Sequence, residues 1–270
     1  HFIRYTDSMS EHSVHSPPDT PPDSLSGMVA LEPAGSFMRV FRRNADGVTF
    51  HDHPFRPFVL ITDKLLPGAF PVPVASKELD GAGALCRLVT TDTWHHWLQL
   101  RDYLQHNYPP DSWYSITDSR QQFLLANGSR LYEGLNFEQL RLLCVSVTTS
   151  ADDVDNMGTD YANKIVVTAI AVCDTQGKQL LLTSTNGSDA SLLEQLSTTI
   201  QTYDPDIITG YNLNRTILPL LLKRAHMHGV RLLWGRNGSV IQASDQRRPA
   251  LFEVYGRSLV DCALLVRLYD

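Results

Sequence analysis

The stretch Tyr203–Ala225, YDPDIITGYNLNRTILPLLLKRA, decides the fold of this chain. Its pattern predicts the end of a helix, a short buried strand, a polar turn and a second helix. Pro205 suits a helix end, and Pro219 suits the first turn of the helix that follows. The turn is built like a place where an acidic side chain would meet a metal ion. Ile217 and Leu218 occupy the far side of this turn, and a hydrocarbon offers a metal ion no ligand.

The bulk composition indicates a soluble globular protein with one large domain or two of ordinary size. The chain has 270 residues, of which 43% are hydrophobic and 19% charged. No apolar run approaches the roughly 18 residues that a membrane span needs, so we expect no membrane partner. The four cysteines are scattered, and we expect buried free thiols in a reducing cytoplasm: Cys86, Cys144, Cys173 and Cys262. The formal charge of -6 argues against a generally basic surface but leaves room for a local basic groove.

Composition and pattern divide the chain into three parts. Residues 1–27 include the run HSPPDTPPDSLSG, which has few apolar residues and predicts a disordered tail. Residues 28–133 predict an α+β module, with a hairpin around Asn44–Gly47 and an amphipathic helix near Trp94 and Trp97. Residues 134–270 follow the order β-β-β-α-β-α, which predicts a mixed sheet flanked by helices.

Three details of the last part are specific enough to test. The strand within QLRLLCVSVTT is rich in Leu and Val, and we expect it to be buried on both faces. In SLLEQLSTTIQTYD, Ser191 and Glu194 have the spacing of a capping box at a helix start. Gly229 suits the C-terminal stop of the last helix of the opening stretch.

The opening stretch resembles the second exonuclease motif of family B DNA polymerases. That motif reads Asp-Pro-Asp, two hydrophobic residues, x-Gly-Tyr-Asn and then a Phe-Asp-Leu-Pro-like segment. Three further pieces of this chain are similar to the family in the same order. They are SRQQFLLANGSRLYEGLNFEQLRLLCVSVTTS, which leads into the first exonuclease motif, LLWGRNGS, and VYGRSLVDCALLVR. The resemblance covers Ser119 to the end of the chain well and Met28–Asp118 only loosely.

The resemblance implies an α/β chain, in which an α+β N-terminal module precedes a ribonuclease H-like exonuclease-type domain. In the family this domain removes mispaired 3′ nucleotides with two Mg²⁺ ions held by carboxylates. At the matching positions the first-motif Asp and Glu are replaced by Ser146 and Thr148, and the second-motif Asp by Ile217. Asn212 and Pro219, which frame that Asp in the family, are present. The chain is therefore expected to bind no metal ion and to have no nuclease activity.

The resemblance also implies a partner and a larger protein. We expect this part to bind DNA, as primer–template or single strand, through Asn212, Arg236 and Arg257. The polymerase palm, fingers and thumb are expected beyond Asp270, in a cytoplasmic parent protein that serves replication or repair. Mg²⁺ would be needed there if the parent is an active polymerase, and whether it is active stays open.

Other interpretations of the same residues remain. Asp153, Asp155 and Asp261 are relocated acids that an active metal-dependent 3′–5′ exonuclease could use, although a solvated loop and a helix-capping acid are the simpler interpretations. Asp204 and Asp206 are expected to shape a turn. The chain can also be interpreted as a protein-binding scaffold without DNA affinity. The histidine pairs are predicted as surface residues and not zinc ligands: His51, His53, His95 and His96.

Overall fold

A computed structural model describes residues 25–81, 83–150, 165–184, 188–243 and 251–269. The chain divides into two compact units, and the division falls between Gly134 and Leu135. Residues 1–24 of the predicted tail lie outside the described residues. Each helix within the described residues is too short or too polar to cross a membrane.

The described residues of the first unit form seven strands and two α-helices. These are β1 (Met28–Ala34), β2 (Phe37–Asn44), β3 (Gly47–Pro54), β4 (Phe58–Ile61), β5 (Ala75–Glu78), β6 (Arg87–Thr90), α1 (Trp94–Asn107), β7 (Trp113–Ser115) and α2 (Ser119–Asn127). The strands form one sheet of order β1-β2-β3 and another of order β5-β6-β4-β7. The predicted hairpin is confirmed, because β2 and β3 pair antiparallel with Asn44 opposite Gly47. Helix α2 was not apparent from the sequence pattern.

Helix α1 begins directly after its N-cap residue, Thr93. The Thr93 hydroxyl accepts the His96 backbone N–H at 3.1 Å, as an N-cap residue does. The Trp97 side chain is fully buried. Its indole N–H donates to the Phe58 carbonyl oxygen at 2.8 Å, and the Trp94 ring stacks on it with centroids 4.2 Å apart. Both tryptophans therefore hold α1 against the second sheet of this unit.

In the second unit, the part that the structure describes has seven strands and three α-helices. These are β8 (Leu142–Thr149), β9 (Val167–Asp174), β10 (Gln179–Thr183), α3 (Ala190–Tyr203), β11 (Ile207–Gly210), α4 (Leu218–His228), β12 (Gln242–Ala243), β13 (Phe252–Glu253), β14 (Ser258–Asp261) and α5 (Cys262–Tyr269). Its main sheet has the order β10-β9-β8-β11-β14. Strand β8 runs antiparallel to β9 and parallel to β11, and β11 runs parallel to β14. The prediction of a mixed α/β sheet is confirmed. The stretches that resemble the first and second exonuclease motifs include β8 and β11, which are neighbours in this sheet.

The core of this unit lies on one face of the sheet. Leu143 and Val145 of β8 belong to a buried cluster that also includes residues of α3 and α4. The prediction that β8 is buried on both faces is wrong, because Ser146 and Thr148 on the other face are exposed. Successive side chains of a strand point to opposite faces, and helices cover only one face of β8 closely. The four cysteines of the two units are half-buried, not fully buried as expected.

Helix α3 begins with a different cap from the predicted one. Its N-cap residue is Asp189, and the expected capping box of Ser191 and Glu194 is absent from this helix start. The Asp189 carboxylate is fully buried, accepts the Val167 backbone N–H at 3.1 Å and pairs with Arg224 of α4. Because this ion pair fixes the chain just before Ala190, Ser191 already lies inside the helix. The predicted stop of α4 is confirmed, since Gly229 has a left-handed conformation and closes the helix.

Candidate functional site

Strand β8 presents two hydroxyl groups at the place where the resemblance expects carboxylates. Ser146 and Thr148 are two residues apart, so their side chains share one face of the strand. Both are exposed, and they lie opposite Ala171 and Ala169 of β9. These neighbours are small, so the hydroxyl groups border an open and uncharged part of the sheet.

The third position faces the core instead of the solvent. Ile217 ends a π-helical turn, Leu213–Ile217, which follows β11. Its side chain is 8% exposed and belongs to the buried cluster of this unit. A methyl group built on Gly210 would lie 3.5 Å from the Ile217 Cδ1, so the isoleucine packs against the end of β11. The side chain at this position therefore fills apolar space.

The turn before Ile217 is held by its own backbone. Asn212 has φ 55° and ψ 36°, and its carbonyl oxygen accepts the N–H groups of Thr216 and Ile217 at 2.9 and 3.2 Å. Asn212 is therefore a turn residue, and its contact with DNA stays a prediction. Tyr211 and Arg215 flank it and are exposed, Tyr211 by 65%. The sequence reasoning did not single them out, although both stand in the polar turn that it identified.

Asp261 joins this turn to β14. Its carboxylate is buried and accepts the Asn214 N–H at 2.8 Å and the Ala263 N–H at 3.0 Å. One oxygen thus caps α5 and the other fixes the turn. The capping interpretation of Asp261 is confirmed, and both oxygens are directed at backbone donors.

The two predicted DNA-binding arginines lie in an internal ion-pair network. Arg236 contacts Asp204 at 2.9 Å and Asp206 at 2.8 Å, and Arg257 contacts Asp204 at 2.7 Å. The side chains of Arg236 and Arg257 are only 8% and 1% exposed. The turn-forming role expected of Asp204 and Asp206 is therefore carried out through these pairs. DNA contact by the arginines stays a prediction, and a phosphate would have to compete with these carboxylates.

Burial and pairing both affect the ionisation of this network. Burial and the neighbouring Arg236 together lower the pKa of Arg257 to about 10, although Asp204 opposes the shift. Burial also disfavours the charged form of Asp204, but Arg236 and Arg257 outweigh it, so the pKa of this carboxyl is lowered. Asp204 is therefore ionised in the folded chain at neutral pH.

The donor set at β8 and the turn does not fit a pair of Mg²⁺ ions. Mg²⁺ prefers oxygen ligands that include carboxylates, and a two-metal site needs several of them to converge. Ser146 and Thr148 are neutral, Ile217 has no donor atom, and the Asp261 oxygens accept backbone N–H groups. Across the part of the chain that the structure describes, no three His, Cys, Asp or Glu side chains are grouped to hold a metal ion. Asp153 and Asp155 lie outside the described residues.

Comparisons with known proteins agree on one family. The model of the exonuclease domain of DNA polymerase family B matches residues 100–267. A DNA polymerase of Pyrococcus horikoshii is 23% identical over 261 residues, which cover 85% of this chain and 20% of that protein. DNA polymerase 2 of Aeropyrum pernix is 32% identical over 114 residues, which cover 42% of this chain and 13% of that protein.

A solved structure gives the same result for the fold. The family B DNA polymerase of the hyperthermophilic archaeon Pyrobaculum calidifontis superposes with a TM-score of 0.65 at 21% sequence identity. The match covers 88% of this chain and 36% of that one. The chain thus spans a fifth or less of the length of the two curated relatives. Because the family model covers most of its length, the chain belongs to DNA polymerase family B and contains the family's exonuclease domain.

Proposed function

We propose that this chain is the N-terminal and exonuclease-like portion of a family B DNA polymerase whose proofreading site is inactive. In this proposal the domain supports the fold and helps to hold DNA without cleaving it. The observation that carries the proposal is the packing of Ile217, which places hydrocarbon in the core at the position of an expected metal ligand.

The physical reason is the charge that a two-metal site requires. Two divalent ions about 4 Å apart repel each other strongly, and carboxylates must offset that repulsion. A hydroxyl group of Ser146 or Thr148 carries no negative charge at neutral pH. An unpaired carboxylate at residue 217 would cost several kcal/mol in this apolar environment, so isoleucine stabilises the turn that the metal ligand would strain.

The open face of β8 and the turn support DNA contact without a metal ion. The Ser146 and Thr148 hydroxyl groups can donate to phosphate oxygens, and the exposed Arg215 can supply positive charge. The exposed Tyr211 ring offers a surface on which a base can stack. Ser146, Thr148 and Ile217 are neutral, so they do not repel a phosphate group. No divalent ion is therefore needed at these positions to offset such a repulsion. Binding of this kind weakens steeply as the salt concentration rises.

A nuclease assay tests the inactive site. A labelled primer–template with a mismatched 3′ end is incubated with the chain and Mg²⁺ or Mn²⁺, and we expect no shortening of the primer. Shortening that disappears in Asp153→Ala would establish the alternative of an active exonuclease with relocated acids. Asp155→Ala serves as the second such variant, and loss of activity there would point to the same alternative.

A binding assay tests the DNA contact separately. Fluorescence anisotropy with labelled single-stranded DNA should give binding that falls with salt and does not change when EDTA replaces Mg²⁺. We expect Arg215→Gln to weaken binding by about tenfold and to reduce the salt slope by roughly 0.7, the loss of one phosphate contact. Arg231→Gln, which removes another exposed arginine of the same unit, is the matched control. Absence of salt-dependent binding would favour the protein-binding scaffold.

The longer protein is part of the proposal as well. The lengths of the relatives support a parent with a polymerase domain, in which Mg²⁺ would serve nucleotide transfer. A primer-extension assay on the full-length parent tests this, and failure to extend a matched primer would limit the proposal to a scaffold in a replication or repair complex.

A further inference from the structure

Three cysteines lie in a row on the open face of the main sheet. Cys144 of β8 is half-buried and lies directly opposite Cys173 of β9 in the antiparallel register. On its other side Cys144 pairs with Thr209 of β11, whose hydroxyl lies 3.0 Å from the sulfur of Cys262. The row is therefore Cys173, Cys144, Thr209 and Cys262, across neighbouring elements of one unit.

The geometry of the first two members suits a covalent bridge. Residues directly opposite each other on antiparallel strands have Cα atoms about 4.5–5.5 Å apart and side chains on the same face. Disulfides form across Cα distances of about 4.4–6.8 Å. Cys144 and Cys173 are both free thiols and only partly buried, so a small oxidant can reach them.

Cys262 is less well placed to bridge to Cys144. It directly follows Asp261, the last residue of β14, and β11 separates β14 from β8 in the sheet. The strand register therefore places Cys173, and not Cys262, directly opposite Cys144. Cys262 therefore provides an internal comparison on the same face.

We propose that Cys144 and Cys173 are a redox modification site, which a peroxide converts into a disulfide that joins β8 to β9. One thiolate attacks a peroxide oxygen, which gives a sulfenic acid and releases hydroxide. The second thiol then attacks that sulfur, and its proton leaves with the sulfenic hydroxyl as water. In sum two thiols and one hydrogen peroxide give one disulfide and two waters, and a dithiol reductant reverses the bridge.

Two consequences follow from this placement. The bridge fixes β8 two residues before Ser146, so it stiffens the strand that carries the exposed hydroxyl groups. Burial, together with Cys262 and Cys173 nearby, raises the pKa of the Cys144 thiol. We therefore expect bridge formation to become faster as the pH rises, because more of this thiol is then ionised.

Tryptic mapping tests the assignment, because each cysteine falls on its own peptide. The full chain is treated with hydrogen peroxide, the remaining thiols are alkylated, and the protein is digested without reductant. The peptides are 78–87 with Cys86, 142–164 with Cys144, 165–178 with Cys173 and 258–267 with Cys262. We expect peptides 142–164 and 165–178 to be linked and to be released by dithiothreitol. The intact mass of the oxidised chain, measured before alkylation, should be lower by about 2 Da because two hydrogens are lost.

Matched variants distinguish this bridge from general oxidation. Cys173→Ser should abolish the linked pair, whereas Cys86→Ser and Cys262→Ser should leave its yield unchanged. A link between 142–164 and 258–267, or oxidation of Cys144 and Cys173 to sulfinic acid without a link, would overturn the assignment. Mapping of the unmodified chain gives the answer even if a variant fails to fold.

Discussion

At the scale of single residues, Ile217 contributes to stability through its packing in the core of the second unit. Ile217 fills space between the end of β11 and the buried cluster that α4 covers. A carboxylate at this position would therefore be buried among apolar side chains. The same position in a metal-binding relative would rely on the metal ions to offset that charge.

We expect Ile217→Asp to lower the free energy of unfolding by about 3–5 kcal/mol, because it creates a cavity and buries an unpaired carboxylate. Ile217→Val is the matched control and should cost only about 1 kcal/mol. Urea unfolding at pH 7 measures both. Equal stability of the Asp variant and the original chain would contradict the packing of this residue.

Gly210 is a second residue whose size is fixed by its surroundings. A methyl group there would lie 2.7 Å from the Val145 carbonyl oxygen, which is backbone and cannot move aside easily. We expect Gly210→Ala to destabilise the second unit by about 1–3 kcal/mol. Gly68→Ala, where nothing lies within 4 Å of the added atom, should change stability much less. Chemical denaturation followed by circular dichroism compares the two.

At the scale of elements, α3 and α4 are joined by a buried ion pair. Arg224 contacts both carboxylate oxygens of Asp189, and the His228 Nε2 lies 2.5 Å from one of them. Asp189 starts α3, whereas the other two residues lie in the last turns of α4. The pair fixes how the start of one helix meets the end of the next.

The pH dependence of stability should report this pair. Burial disfavours the ionised form of Asp189, but Arg224 and the Val167 N–H outweigh it, so the pKa of the carboxyl lies below its usual 3.8. A lowered folded pKa contributes stability that is complete above the unfolded value and is lost as the pH falls through the folded value. Acid unfolding of the second unit is therefore expected below about pH 3.8.

The variant Asp189→Asn removes that dependence. At pH 7 it should lower the free energy of unfolding by about 3–5 kcal/mol, since Arg224 is left buried without a counter-charge. The difference between variant and original chain should shrink as the pH falls below 3.8. Asp102→Asn, in an exposed pair on α1, is the control and should have little effect. A difference that stays constant with pH would argue against an ionised Asp189.

The elements were largely predictable from the sequence, whereas their partners were not. Apolar spacing and the positions of Pro and Gly predicted helices α1, α3 and α4 and strands β8 to β11. These signals act within one segment of the chain, so the sequence pattern reveals them. The N-cap of α3 was missed because Asp189 is held in place by an ion pair with Arg224. Arg224 lies 35 positions further on, so the local sequence pattern does not reveal this contact. The exposed face of β8 was missed because Leu and Val do not reveal which face a helix covers.

At the scale of the whole molecule, the family was predictable and the use of its charged residues was not. Four ordered motif pieces were sufficient to identify the family, whereas the replacement of its carboxylates by Ser146, Thr148 and Ile217 stays a prediction. The ion pairs of Arg236 and Arg257 could be recognised only from the structure, because the Asp204 that they share lies more than 30 residues before each of them. Arginines in a DNA-associated family suggest phosphate contacts, but these two neutralise carboxylates of the same unit.

We expect residues 25–134 and 135–270 to fold as separate proteins. Each compact unit has its own buried apolar cluster, which is the property of an independent domain. Separate expression and thermal unfolding should give one cooperative transition for each fragment. A fragment 135–270 that lacks cooperative unfolding would show that this unit depends on the rest of the chain.

The network around Asp204 has a consequence for how genomes are surveyed for proofreading enzymes. The two acids of the Asp-Pro-Asp run pair with two buried arginines of the same unit, so their presence reports on the packing of the domain. A survey that counts this run would record an editing function wherever the architecture survives. Counting carboxylates at the positions of Ser146, Thr148 and Ile217 would instead test whether the acids that two metal ions require are present.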